Sequence, residues 1–157
     1  MTEENRTRLE LLKANIEKEE DNIAQIYARL ESQPTSPETD EQTIVVAYYL
    51  HNLYSAFEQV AILVARTFEN NIEDRSKWHS LLLRQMTLDI PGIRPNLFCQ
   101  ETYSILNRLR SFRHVFRAAY VITLDSDEID LLYKKAQKLK LVYPPDLTNF
   151  KDFLDTL

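Results

Sequence analysis

The sequence predicts an all-α protein, an antiparallel up-and-down bundle of four to five helices. Three observations carry that expectation. The 157 residues contain a single glycine, whereas strand-rich folds need glycine at their hairpin turns. Apolar residues recur at three-, four- and seven-residue intervals over long stretches. The breaks between those stretches are short, which favours antiparallel neighbours. With 44% hydrophobic and 10% aromatic residues, one domain spanning 1–157 has enough apolar surface for a single core.

The first helix is predicted over Glu3 to Ser32, where Leu9, Leu12, Ile16, Ile23, Ile26, Tyr27 and Leu30 form an apolar stripe among charges. QPTSPETDEQT breaks it with two prolines, so 33–41 is a loop with Thr39 or Asp40 as the next N-cap. The second helix runs to about Asn70 and is apolar on nearly every side, the mark of a helix surrounded by others. It is too long, and too free of turn signals, for a strand. After a polar break from Asn70 to Ser76 comes a short helix, KWHSLLLRQMTL, ending before IPGIRPNLF. There the prolines beside the sole glycine make 90–97 a rigid connection. A fourth helix spans about Cys99 to Leu124 and a fifth Ser126 to Leu141; Pro144 and Pro145 then start a short C-terminal helical segment within 142–157.

Several function classes drop out. One glycine excludes Gly-rich phosphate loops. Cys99 is alone, and His51, His79 and His114 are far apart, so no zinc spacing exists. The acidic residues form no compact magnesium cluster, and no cofactor is implied. The charged start, MTEENRTRLELL, is no signal peptide, and no run reaches the roughly 18 apolar residues of a membrane helix. A soluble protein of the reducing cytoplasm is expected.

Against a net charge of -5, "RLRSFRHVFRAAY" at 108–120 packs four arginines around a histidine. On a helical wheel with Arg108 at zero, Phe112, Val115, Phe116, Ala119 and Ile122 fall within roughly 80°, while Arg110, Arg113, His114 and Arg117 fall between roughly 140° and 240°. Arg108 thus shares the apolar seam. Because a guanidinium keeps its proton, it needs a carboxylate, for which Glu58 is a candidate, or a polar cleft between two copies of the helix. Glu58 belongs to a polar line on the second helix with His51, Tyr54 and Ser55. Arginine forks match phosphate oxygens, and a neighbouring histidine moves a proton near neutral pH, so the chemistry suited to the cluster is phosphodiester handling. RNA, which carries its own 2′-hydroxyl nucleophile, is the better substrate where no metal is held. Arg113 and Arg117, four apart on the basic stripe, are expected to bind backbone phosphates. Simpler readings stand beside this one: an arginine-rich helix is often a solvated face, His79 a packing partner of Trp78, His51 a buried hydrogen-bonder, and Tyr48, Tyr49, Tyr54 and Phe57 core or interface.

Arg108-x5-His114 on a late helix of an all-α chain resembles the HEPN ribonucleases, whose motif is an arginine, four to six residues, then a histidine. "FRHVFRAAY" with Leu124-Asp125, together with "WHSLLLRQM" at 78–86, is similar to the HepT-like toxins of toxin–antitoxin systems. The resemblance implies a metal-independent endoribonuclease acting as a homodimer, with the motifs of both protomers in one cleft, and a minimal nucleotidyltransferase antitoxin as partner. It makes Arg108 the phosphate-stabilising residue and His114 the acid/base, with Arg110, Arg113 and Arg117 binding RNA and Glu58 and Tyr120 supporting. Arg110, at i, i+4 from His114, is an alternative motif arginine. Leu109 stands where the family often has a polar residue, and Phe116 where the better-known branch carries a modifiable tyrosine. A reading from another class remains: a catalytically silent helical module that holds a partner protein or nucleotide.

Overall fold

A computed structural model describes residues 1–34, 36–69, 78–118 and 124–157, leaving out the side chains of His114, Val115 and Ala118. These residues form α1 (Glu3–Glu31), α2 (Asp40–Phe68), α3 (Trp78–Gln85), α4 (Gln100–Ala118) and α5 (Ser126–Asp155). Among the described residues there is no strand, only an isolated bridge between Ile90 and Arg94. No described helix is long and apolar enough to cross a membrane.

α2 is the centre of the bundle and packs against each of the other four helices. Its buried residues, from Val46 through Leu50, Leu53 and Phe57 to Val64, leave few positions for solvent, as its continuous apolar sequence predicts. Thr39 is its N-cap, accepting from the Gln42 amide at 3.2 Å. α1 runs antiparallel to α2, since Arg8 near its start donates to the Arg66 and Thr67 carbonyls at the far end of α2. Those carbonyls lack partners within the helix, and a cation suits that end of its dipole. α1 is also antiparallel to α5, joined by Lys13–Asp155, Glu20–Lys151 and Glu31–Lys140 pairs. Near the Glu31–Lys140 pair the Tyr27 hydroxyl donates to the Ala136 carbonyl at 2.7 Å. α4 runs antiparallel to α2: Phe98, just before it, stacks edge-on with Phe57, and Phe116 near its end lies against His51.

The helix expected to stop at Leu141 instead continues through Pro144 and Pro145 to Asp155, so 142–157 is no separate segment. The prolines remove the amides that would bond the carbonyls of Lys140 and Leu141, but Lys140 and Leu141 are exposed, where water can replace the lost bonds. Leu147, Phe150 and Leu154 meanwhile extend the buried stripe begun by Ile129, Leu132 and Ala136. Packing of that stripe outweighs the local preference against proline.

The connection after α3 is held as tightly as its prolines suggest. Gly92 takes φ 78, the only positive-φ glycine. Arg94 is 3% exposed. Its guanidinium pairs with Glu69 at the end of α2 and donates to the Gln85, Leu88 and Pro95 carbonyls. This fixes the start of α4 relative to α2 and α3.

Candidate functional site

The buried seam of α4 consists of Thr102, Ile105, Leu106, Leu109 and Phe112. Its centre lies roughly 100° around the helix from Arg108, whereas the seam expected from Phe112, Val115, Phe116, Ala119 and Ile122 is centred roughly 20° from that residue. That difference moves Arg108 out of the seam, and the residue is exposed. The expected pairing of Glu58 with Arg108 is absent. Leu109 fills the seam in its place, and Arg113, half-buried, is the arginine that faces α2 and α3.

Glu58 is 7% exposed and is partnered by other residues. One turn earlier on α2, the Tyr54 hydroxyl donates to its Oε2 at 2.6 Å. His79, on the first turn of α3, places Nδ1 2.6 Å from the same oxygen. The other ring nitrogen, Nε2, lies 3.4 Å from Nη1 of Arg113. An ionised carboxylate only accepts and a guanidinium only donates. In its neutral form the ring suits these neighbours in one tautomer, with its proton on Nδ1 toward Glu58 and its lone pair on Nε2 toward Arg113. The continuous chain Tyr54–Glu58–His79–Arg113 joins three helices.

Burial, reinforced by the bond to Glu58, pushes the Tyr54 hydroxyl well above its ordinary pKa, so it remains a donor throughout the neutral range. His51 moves the other way: burial first, then the charges of Arg113 and Arg117, lower its pKa and hold it neutral. Its Nδ1 is buried with no hydrogen-bond partner among the described residues. Trp78 Nε1 and Arg113 Nε are also buried without partners there. Three unsatisfied polar atoms thus surround one polar chain, where interiors tolerate few.

Arg110 is half-buried and donates to Asn107 Oδ1 at 3.1 Å, while Arg117 is exposed. Together with Arg108 they give this end of α4 its positive surface. The backbone of His114 lies in α4, but its side chain, like the whole of Tyr120, is outside the described residues. Sequence reasoning missed His79 as a partner of Glu58. Its edge-on packing with Trp78, at 4.8 Å between ring centroids, was the visible half of its role. Among the described residues no group of three or more His, Cys, Asp or Glu is placed to hold a metal ion.

In comparison with known proteins, a family model described as HepT-like protein matches residues 45–154. The match starts inside α2 and ends inside α5, so it contains the whole polar chain and leaves out α1. No curated protein and no solved structure matches.

Proposed function

The chain belongs to the HepT-like family, and on that premise we propose that it is a metal-independent endoribonuclease, the toxin of a toxin–antitoxin pair. Two copies of α4 line one cleft, and a minimal nucleotidyltransferase is the antitoxin. The observation that carries the reading is the arginine and histidine cluster of α4, from Arg108 to Arg117, on a helix whose core contacts are made by Thr102, Ile105, Leu106, Leu109 and Phe112. Exposure of Arg108 supports it, because a guanidinium outside the seam is available to a phosphate.

In this reading Arg108 takes two phosphate oxygens with its planar fork. His114, on the same helix, exchanges the proton. The 2′-hydroxyl of RNA is the nucleophile, so the reaction requires charge stabilisation and proton transfer at neutral pH. Arg110, Arg113 and Arg117 hold the backbone, and two-fold symmetry doubles the positive surface into a groove wide enough for a strand.

The test is expression of the chain without its partner, followed by RNA cleavage with purified protein. Wild type is expected to arrest growth and cut RNA. His114→Ala should lower turnover by on the order of a hundredfold or more while RNA binding persists. A harmless wild type that cuts no RNA refutes the enzyme reading and leaves the binding module.

A further inference from the structure

RNA cleavage by an internal 2′-hydroxyl needs two proton transfers on opposite sides of the phosphorus. One group removes the proton from the attacking O2′, and another gives a proton to the leaving O5′. The motif histidine supplies one of these. The chain has two further histidines, His51 and His79, and their surroundings separate them. His51 Nδ1 meets no partner among the described residues and its ring rests on Phe116, so no carboxylate holds that nitrogen as Glu58 holds Nδ1 of His79. His79 is held by a carboxylate that is itself held by a tyrosine.

We infer that His79 is the second proton-transferring residue of this site, the general base, fixed by Glu58 and set beside Arg113, which in this inference shares the scissile phosphate with Arg108 instead of holding a neighbouring one. The inference rests on the ribonuclease reading and adds to it a residue outside the arginine–histidine motif.

The geometry has the parts a general base requires. Glu58 fixes the tautomer through Nδ1 and stabilises the imidazolium that forms when Nε2 takes a proton, the role a buried carboxylate plays behind a catalytic histidine. The His79 side chain is 34% exposed while that of Glu58 is 10% exposed. The working end of the relay thus reaches solvent and its supporting end does not. Nε2 faces the Arg113 guanidinium at 3.4 Å, near the upper limit for a hydrogen bond. A phosphate offers that guanidinium charge-assisted bonds of about 2.7–2.9 Å, so its arrival draws Arg113 away and frees the Nε2 lone pair. Arg113 Nε and Trp78 Nε1, both pure donors without partners among the described residues, leave this corner rich in unused donors, as suits an anion.

The step balances with these groups alone. Nε2 of His79 takes the O2′ proton as O2′ bonds to phosphorus. The bond from phosphorus to O5′ breaks, and O5′ takes a proton from His114. The products are a 2′,3′-cyclic phosphate and a 5′-hydroxyl, with one histidine having gained a proton and the other having lost one. Proton exchange with water restores both. Glu58 touches no substrate and is a positioning residue.

The test compares wild type, His79→Ala, His79→Gln and Glu58→Gln on a short RNA. Cleavage is followed under single turnover, and binding with the same RNA carrying a 2′-O-methyl at the scissile position. His79→Ala should lower the cleavage rate by on the order of a hundredfold with binding of the methylated RNA changed less than about threefold. Added imidazole should restore part of the rate. Glu58→Gln should give a smaller loss and shift the lower limb of the pH–rate profile, which no purely structural contact would move. His79→Gln, close in size and still polar, guards against misfolding: it should unfold at the wild-type temperature yet stay inactive. If wild type cuts RNA and both His79 variants cut equally well, the inference is wrong and the ribonuclease reading stands. If the variants are slow only because binding has weakened, His79 holds RNA and the proton-transfer role is refuted. A wild type that cuts nothing overturns both readings together.

Discussion

Glu58 lies within α2 and Glu69 caps its C-terminal end eleven residues later, on nearly the same side of the helix axis at about 100° per residue. Both carboxylates are largely buried and both are paired, yet their partners differ in kind. Glu69 meets Arg94, a permanent cation whose side chain is 0% exposed and whose remaining donors are taken up by three backbone carbonyls. Glu58 meets a tyrosine and a histidine, and the histidine reaches solvent. The first arrangement has no proton to move and no route for a ligand, so it can only hold the chain in place. The second contains a titratable group with one nitrogen fixed and the other facing an arginine. Burial and pairing are common to both, so they do not identify a chemical site; what separates the two is whether the partner can change its charge in contact with solvent.

That contrast makes Glu69→Ala the more damaging of the two carboxylate substitutions for stability. It strands a guanidinium with no outlet to water, and the expected loss is about 3 kcal/mol, at the lower end for a broken buried pair because three carbonyls still hold Arg94. Chemical denaturation checks it; a loss below about 1 kcal/mol would mean that Arg94 escapes to solvent and that the connection at 90–97 is looser than its contacts suggest. Glu58→Ala should cost less, about 1–2 kcal/mol, since Tyr54 loses an acceptor but the half-exposed His79 ring can turn to water. Equal losses in the two variants would erase the distinction between a holding pair and a working pair.

The smallest expected effect is the pH dependence contributed by His51. Its pKa is lowered in the folded chain, by burial first and then by Arg113 and Arg117, so the unfolded chain binds a proton more readily. Its contribution is therefore complete above the unfolded histidine value of about 6.5 and is lost as pH falls through the lower folded value. The denaturation midpoint should decline from pH 7 toward pH 5, and His51→Gln should flatten that decline. An unchanged slope in His51→Gln would place the acid sensitivity elsewhere.

Much of the fold was legible because its signals are local. Thr39 caps α2 where the sequence places an N-cap, and the apolar run of α2 marks the central helix. Pro144 and Pro145 misled because proline's cost is also local, whereas the gain that outweighs it comes from packing Leu147, Phe150 and Leu154 against distant helices. The orientation of α4 erred for a similar reason. The expected seam draws on Phe112 to Ile122 at the end of the expected helix, but the core takes Thr102, Ile105, Leu106 and Leu109 from its first half together with Phe112, and only the facing helices decide that. Glu58 stood out as a charge in an apolar helix. Its partner did not, because His79 is 21 residues away on another helix and no spacing rule links the two.

The central position of α2 also sets an order in time. α1 emerges first and can cover one side of α2, but the other sides wait for α4 and α5. At 5–20 residues per second, the ribosome needs roughly 5–20 s to go from the end of α2 to the end of α5. For that interval the most apolar segment of the chain is only partly covered, so the nascent protein offers chaperones a binding site that the finished fold conceals.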